Sequence, residues 1–165
     1  MNKKIGVYPG TFDPVTSGHM DIMERALKVV DSLIIGIAVD SFKDTLFTYD
    51  ERAQLIKEEL AASNFDISKI SVTPFKGLLV NFAKEKDAQI IIRGIRAISD
   101  FEYEFQMSCM NAKLDSSINT IFLPASEKMQ LVSSKLVKEV VRLGGSAHEF
   151  ASQNVQLRLK EKFTQ

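Results

Sequence analysis

The run 33–39, Leu-Ile-Ile-Gly-Ile-Ala-Val, carries no polar side chain. A strand with one wet face alternates apolar and polar residues, so a run this uniform must be covered on both faces. Four further short apolar runs, at 5–8, 70–72, 90–92 and 120–123, alternate with segments of helical period. In the first of these segments Ile22, Met23, Ala26, Leu27 and Val30 share one face. The alternation predicts an α/β, doubly wound, five-stranded parallel sheet with helices on both faces. Ligands of such sheets bind beyond the carboxyl ends of the strands, where the strand order reverses. Residues that directly follow strands are therefore where chemistry is expected.

The exit of the first strand is the most heavily equipped. Residues 7–19 read Val-Tyr-Pro-Gly-Thr-Phe-Asp-Pro-Val-Thr-Ser-Gly-His. Pro9, Gly10, Pro14 and Gly18 punctuate this stretch too heavily for regular structure, and a helix follows. That helix aims its free N-terminal amides, and the positive end of its dipole, back at the loop. Thr11, Thr16 and Ser17 add hydroxyls, and His19 can donate to a phosphoryl oxygen. The pattern is that of a phosphate site, yet it is neither a P-loop, which needs Gly-Lys-Ser/Thr, nor Gly-x-Gly-x-x-Gly.

Other strand exits carry cations and hydroxyls. After the second strand comes Asp40-Ser41-Phe42-Lys43-Asp44-Thr45, then Thr48 and Glu51 as a capping box opening a helix through Leu60. On the residues alone, Lys43 reads as a solvated lysine between two aspartates. The fourth strand runs into Arg93-Gly94-Ile95-Arg96, where Gly94 is expected to turn tightly so that both guanidiniums converge on anionic oxygens. Asp100 is expected to cap a helix with Phe101, Phe105, Cys109 and Ala112 on one face. Cys109, between Met107 and Met110, reads as a small buried hydrophobe. Glu102 and Glu104 form the exposed remainder, consistent with dipole compensation. The last strand exits through 124–132 to Ser133-Ser134, an N-cap for a helix with Leu136, Val137, Val140 and Val141 inward. Gly144-Gly145 stops that helix, His148 reads as surface, and an amphipathic stretch follows over 155–163.

Lysine plus arginine and aspartate plus glutamate both number 21, so no net positive field marks a nucleic-acid binder. The clustered cations then need local reasons. With one cysteine there is no internal disulfide, and neither a signal-peptide pattern nor a membrane-length apolar run is visible, so the expectation is a soluble cytoplasmic protein without nucleic-acid or membrane partners. At 165 residues the chain is expected to be one domain, 1–165. No dedicated metal cage is legible.

Thr16-Ser17-Gly18-His19 resembles the T/H-x-G-H signature of the nucleotidyltransferase superfamily. Tyr8-Pro9-Gly10-Thr11-Phe12-Asp13-Pro14 resembles the bacterial phosphopantetheine adenylyltransferases in particular. The similarity continues in order and spacing through Lys43, Arg93-Gly94-Ile95-Arg96, Asp100-Phe101-Glu102-Tyr103-Glu104 and Ser133-Ser134. It implies a Rossmann-like fold and transfer of AMP from ATP to 4′-phosphopantetheine, giving dephospho-coenzyme A and pyrophosphate. Magnesium would arrive on ATP, and a homohexamer is implied, for which Tyr103 and the two phenylalanines would serve as contacts. The resemblance assigns His19, Lys43 and Thr11 to catalysis. To ATP it assigns Thr11, Phe12, His19, Gly94, Ile95, Arg96, Glu104, Met129, Gln130, Leu131, Val132, Ser133, Ser134 and Lys135. To phosphopantetheine it assigns Thr11, Lys43, Leu79 and Arg93. Lys135 stands where the family has a third serine. Nicotinamide mononucleotide adenylyltransferases and glycerol-phosphate cytidylyltransferases share the loop, as would a noncatalytic nucleotide sensor. The stretch from Arg93 to Glu104 favours phosphopantetheine, and retention of His19 with Lys43 argues against mere sensing.

Overall fold

In the computed structural model of the protein, residues 3–39 and 44–164 are described. Five parallel strands, β1 (Ile5–Gly10), β2 (Ser32–Ala38), β3 (Ile70–Phe75), β4 (Ile90–Ile95) and β5 (Asn119–Pro124), form one sheet in the order β3-β2-β1-β4-β5. The chain leaves β1 to build one edge, then returns across the sheet to start β4 beside β1. That reversal creates the crevice in which a doubly wound sheet binds ligands. Most strands extend beyond their apolar runs, β4 by three residues through Arg93, Gly94 and Ile95, because ladder hydrogen bonds need backbone rather than apolar side chains.

Alternation along the strands feeds two cores. Tyr8, Leu33, Ile35, Ile37 and Ile92 point to one face, under α1 (Ser17–Ala26), α2 (Tyr49–Ala62), α5 (Ser134–Arg142) and α6 (Gln153–Phe163). Val7, Ile34 and Ile91 point to the other, where α3 (Leu79–Glu85) contributes Val80, Phe82 and Ala83. The longest helix, α4 (Ile98–Leu114), packs on that second side against β4, β5 and α3. No described helix is long and apolar enough to cross a membrane.

Local signals act where expected at two helix starts. Thr48 and Glu51 close a reciprocal capping box at α2, and the Ser133 hydroxyl accepts from the Leu136 amide at α5. Asp100 does not cap α4. The helix begins two residues earlier with Ala97 at its N-cap, and Asp100 sits in the first turn, paired with Arg96. The expected buried face of α4 is also absent. Phe101, Phe105, Cys109 and Ala112 are all exposed in the single chain, and Ile98 is 90% exposed. Leu136 of α5 likewise faces outward, while Val137 and Val141 are buried. Periodicity locates an apolar face without saying what covers it.

Candidate functional site

A cleft of about 490 Å³ opens at the β1/β4 crevice. It is walled by the loop after β1, the end of β4, the start of α5 and residues 44–45. The loop is held by tertiary bonds on every side. Arg52, 3% exposed on α2, donates to the carbonyls of Thr11 at 2.6 Å and Ala38 at 3.1 Å. Ser134 Oγ donates to the Pro14 carbonyl at 2.7 Å, and the Ser17 amide donates to the Phe150 carbonyl at 2.9 Å. Phe12 adopts φ of +52°, in the left-handed region that side chains avoid. Its ring lies 4.9 Å from that of His19 and 5.5 Å from that of Tyr8. A Cβ on Gly10 would sit 2.9 Å from this ring, so the strand end must be glycine for Phe12 to fold beneath it.

His19 is the third residue of α1 and takes the place that glutamate holds in an ordinary capping box. The Thr16 amide donates to its Nδ1 at 3.0 Å, and the Thr16 hydroxyl lies 3.0 Å from the same atom. Because Nδ1 accepts from an amide, the ring proton belongs on Nε2. Burial, with the charge of Arg96 second, lowers the His19 pKa to about 4. The ring is therefore a neutral donor at neutral pH. Folding keeps it neutral while the unfolded ring titrates near 6.5, so this stabilising contribution is complete above that value and is lost as pH falls towards 4. Nitrogen-15 NMR of the two histidines, assigned through His148→Gln, should show His19 protonated on Nε2 at pH 7 and titrating near pH 4. An imidazolium at pH 7 would refute the assignment.

The arginines behave differently from the tight turn expected of Gly94, which lies within β4. A Cβ there would come within 2.9 Å of Ile22 Cγ1, so the glycine admits close approach of α1 to the sheet. Arg93 reaches across to α4 and makes a two-pronged ion pair with Glu104, with Nε to Oε2 at 2.6 Å. It also donates to the Pro9 carbonyl at 3.1 Å. Glu104 is thus Arg93's partner as well as a cleft residue. Arg96 spans Asp100 at 3.0 Å and the Val132 carbonyl at 3.0 Å, tying β4 to the segment before α5.

Of the residues singled out in sequence, Thr11, Phe12, Thr16, His19, Arg93, Gly94, Arg96, Glu104, Met129, Val132, Ser133, Ser134 and Lys135 line this cleft. Ile95, Gln130 and Leu131 do not, and Leu79 packs half-buried against the Val7–Ile91 core. Lys43 lies outside the described residues. Sequence reasoning passed over Tyr8, Asp13 and Lys138, which also line the cleft. Asp13, 5% exposed, accepts from the amides of Leu46 at 3.0 Å and Phe47 at 2.9 Å and from Lys138 Nζ at 2.6 Å. Its place in a phosphate loop was legible, but its partners, 33 and 125 residues away, were not.

Residues 7–140 match the cytidylyltransferase-like family. The chain is 50% identical to the phosphopantetheine adenylyltransferase of Rhodospirillum centenum over all of this chain and 90% of that one. It is 54% identical to that of Wolbachia pipientis subsp. Culex pipiens, over 96% and 93%. Among solved structures, it resembles Plasmodium falciparum nicotinic acid mononucleotide adenylyltransferase in complex with NaAD (TM-score 0.76, 14% identity, 99% and 97% covered). It also resembles a bifunctional NMN adenylyltransferase/ADP ribose pyrophosphatase from Francisella tularensis (TM-score 0.71, 16% identity, 99% and 51% covered). At such identities these structures speak to fold alone, whereas half-identity across the full length reaches further. With a nucleotidyltransferase fold, its crevice and a capped histidine at the crevice's edge, the chain belongs to the phosphopantetheine adenylyltransferase family.

Proposed function

We propose that this chain, as one nucleotidyltransferase domain, transfers AMP from ATP to 4′-phosphopantetheine, giving dephospho-coenzyme A and pyrophosphate. The carrying observation is a neutral His19 donor at a helix N-terminus, facing a cleft that also holds Arg93, Arg96, Lys135 and Lys138. A phosphate monoester is already a nucleophile. The reaction asks mainly for alignment of two repelling anions and for neutralisation of charge passing to pyrophosphate. His19 Nε2 donates to the α-phosphoryl oxygens as they gain charge. Thr11 and Lys43 orient the attacking phosphate, Arg93 meets it from the β4 side, and Arg96, Ser134 and Lys135 receive the polyphosphate. Glu104 holds Arg93 in place and borders the nucleotide.

Magnesium, arriving with ATP, would supply charge neutralisation on the polyphosphate. Of the described carboxylates lining the cleft, Asp13 and Glu104 are engaged by Lys138 and Arg93, which leaves Asp44 as the one that could meet the ion or its waters. We propose a homohexamer, as the family resemblance implies; the apolar residues exposed on α4, Ile98, Phe101, Tyr103, Phe105, Met107 and Met110, support self-association, because monomers rarely leave such a surface wet. Sedimentation equilibrium tests it. A cytoplasmic setting goes with ATP as substrate.

Pyrophosphate release with both substrates, compared with either alone, tests the activity. A nicotinate or nicotinamide mononucleotide transferase, or a sensor, would release none. Lys43→Met should then lower kcat/KM for phosphopantetheine about 10- to 100-fold, the scale of a charge-assisted hydrogen bond, while binding of dephosphorylated pantetheine stays unchanged. Equal losses for both ligands would remove Lys43 from the phosphate site.

A further inference from the structure

Tyr8 is a polar group in the crevice that the reading above leaves without a task. It sits on β1, the strand at the reversal point, and is 6% exposed. Phe12 meets its ring edge-on at 5.5 Å, and the His19 ring is 6.5 Å away. Its hydroxyl has no hydrogen-bond partner among the described residues. It is not shut off from solvent either, since the buried side-chain polar atom lacking a partner there is Arg52 Nε. With no protein partner among the described residues and some access to solvent, the hydroxyl is free to bond an occupant of the cleft that Tyr8 lines. A largely buried phenol usually finds a hydrogen-bond partner, and with no such partner this one is left to water or to a ligand in the cleft. The charges around it favour an anionic ligand. Arg93 and Arg96 act on it most strongly, followed by Glu104 and Asp21. Burial outweighs both arginines and raises its pKa far above the ordinary phenol value, so it remains a proton donor.

Resting on the adenylyltransferase reading, we propose that the Tyr8 hydroxyl is a further substrate-binding group, donating a hydrogen bond to a phosphoryl oxygen of the bound nucleotide between His19 and Arg96. Phe12 and the strand hold the ring, so the donor is aimed before the ligand arrives. Tyr8→Phe removes the hydroxyl and keeps the packing. The expected result is a loss of about 10- to 100-fold in kcat/KM for ATP and a parallel weakening of AMP binding by calorimetry, as for a hydrogen bond to a charged group. The KM for phosphopantetheine and the melting temperature should stay close to those of the parent. Kinetic constants within twofold of the parent would overturn the proposal, as would a loss confined to phosphopantetheine. A parent enzyme that releases no pyrophosphate would instead refute the adenylyltransferase reading, and AMP binding would still decide for Tyr8. Should Tyr8→Phe fail to fold, ζ-carbon-13 tyrosine labelling of the parent gives three resonances. AMP should then move that of Tyr8, and an unmoved signal would refute the contact.

Discussion

Replacing His19 by alanine is expected to lower turnover about 100- to 1000-fold, the effect of deleting one donor aimed at charge that develops in the transition state. ATP affinity should change little. The donor is unusually fixed: the Thr16 amide holds Nδ1 at 3.0 Å, and the Phe12 ring packs at 4.9 Å. Because the ring is neutral in the ground state, it adds no full charge to the binding of ATP. It contributes most as the α-phosphoryl oxygens become more negative. Single-turnover rates with saturating ATP, beside equilibrium ATP binding, separate the two effects. Normal turnover with much weaker ATP binding would assign His19 to the ground state instead.

The second large effect should be on stability. Asp13→Ala removes one buried carboxylate that serves two amides and a lysine, and should cost about 2–4 kcal/mol. The amides of Leu46 and Phe47 lose their acceptor, and Lys138, its side chain 26% exposed, keeps a charge without a counterion. Lys138→Met should cost less, about 1 kcal/mol, because Asp13 retains both amide donors and much of the lysine's charge was screened. Urea denaturation of the two variants reads the difference. Equal losses would mean that the ion pair, rather than the clamp on the backbone at 46–47, is the stabilising element.

The two cases differ in how they could be read from sequence. His19 announces itself within its loop: the hydroxyls of Thr16 and Ser17, Gly18 beside it, a strand before and a helix after. Asp13 lies in the same loop but looks like an ordinary turn residue until α5 brings Lys138 to it. Arg93 stood out as a cation at the end of an apolar strand, yet its pairing with Glu104 depends on how α4 crosses β4. A residue's type shows that it needs a partner, and only packing names the partner.

What the sequence by itself determined is what local physics governs. An all-apolar second strand demands helices on both faces, and a helix period between strands demands parallel order. The Thr48–Glu51 box and Ser133 start their helices through bonds spanning three residues. The phosphate loop follows from the same local rules. The tertiary structure decided the rest. It set the extension of β4 through Arg93, the start of α4 at Ile98 rather than after Asp100, the outward turn of Phe101, Phe105 and Cys109, and the convergence of Tyr8, Asp13, His19 and Lys138 on one cleft. Each of these depends on which element lies beside another. That choice is made by the sum of many burial and pairing energies across the whole chain, not by the few neighbours a local pattern contains.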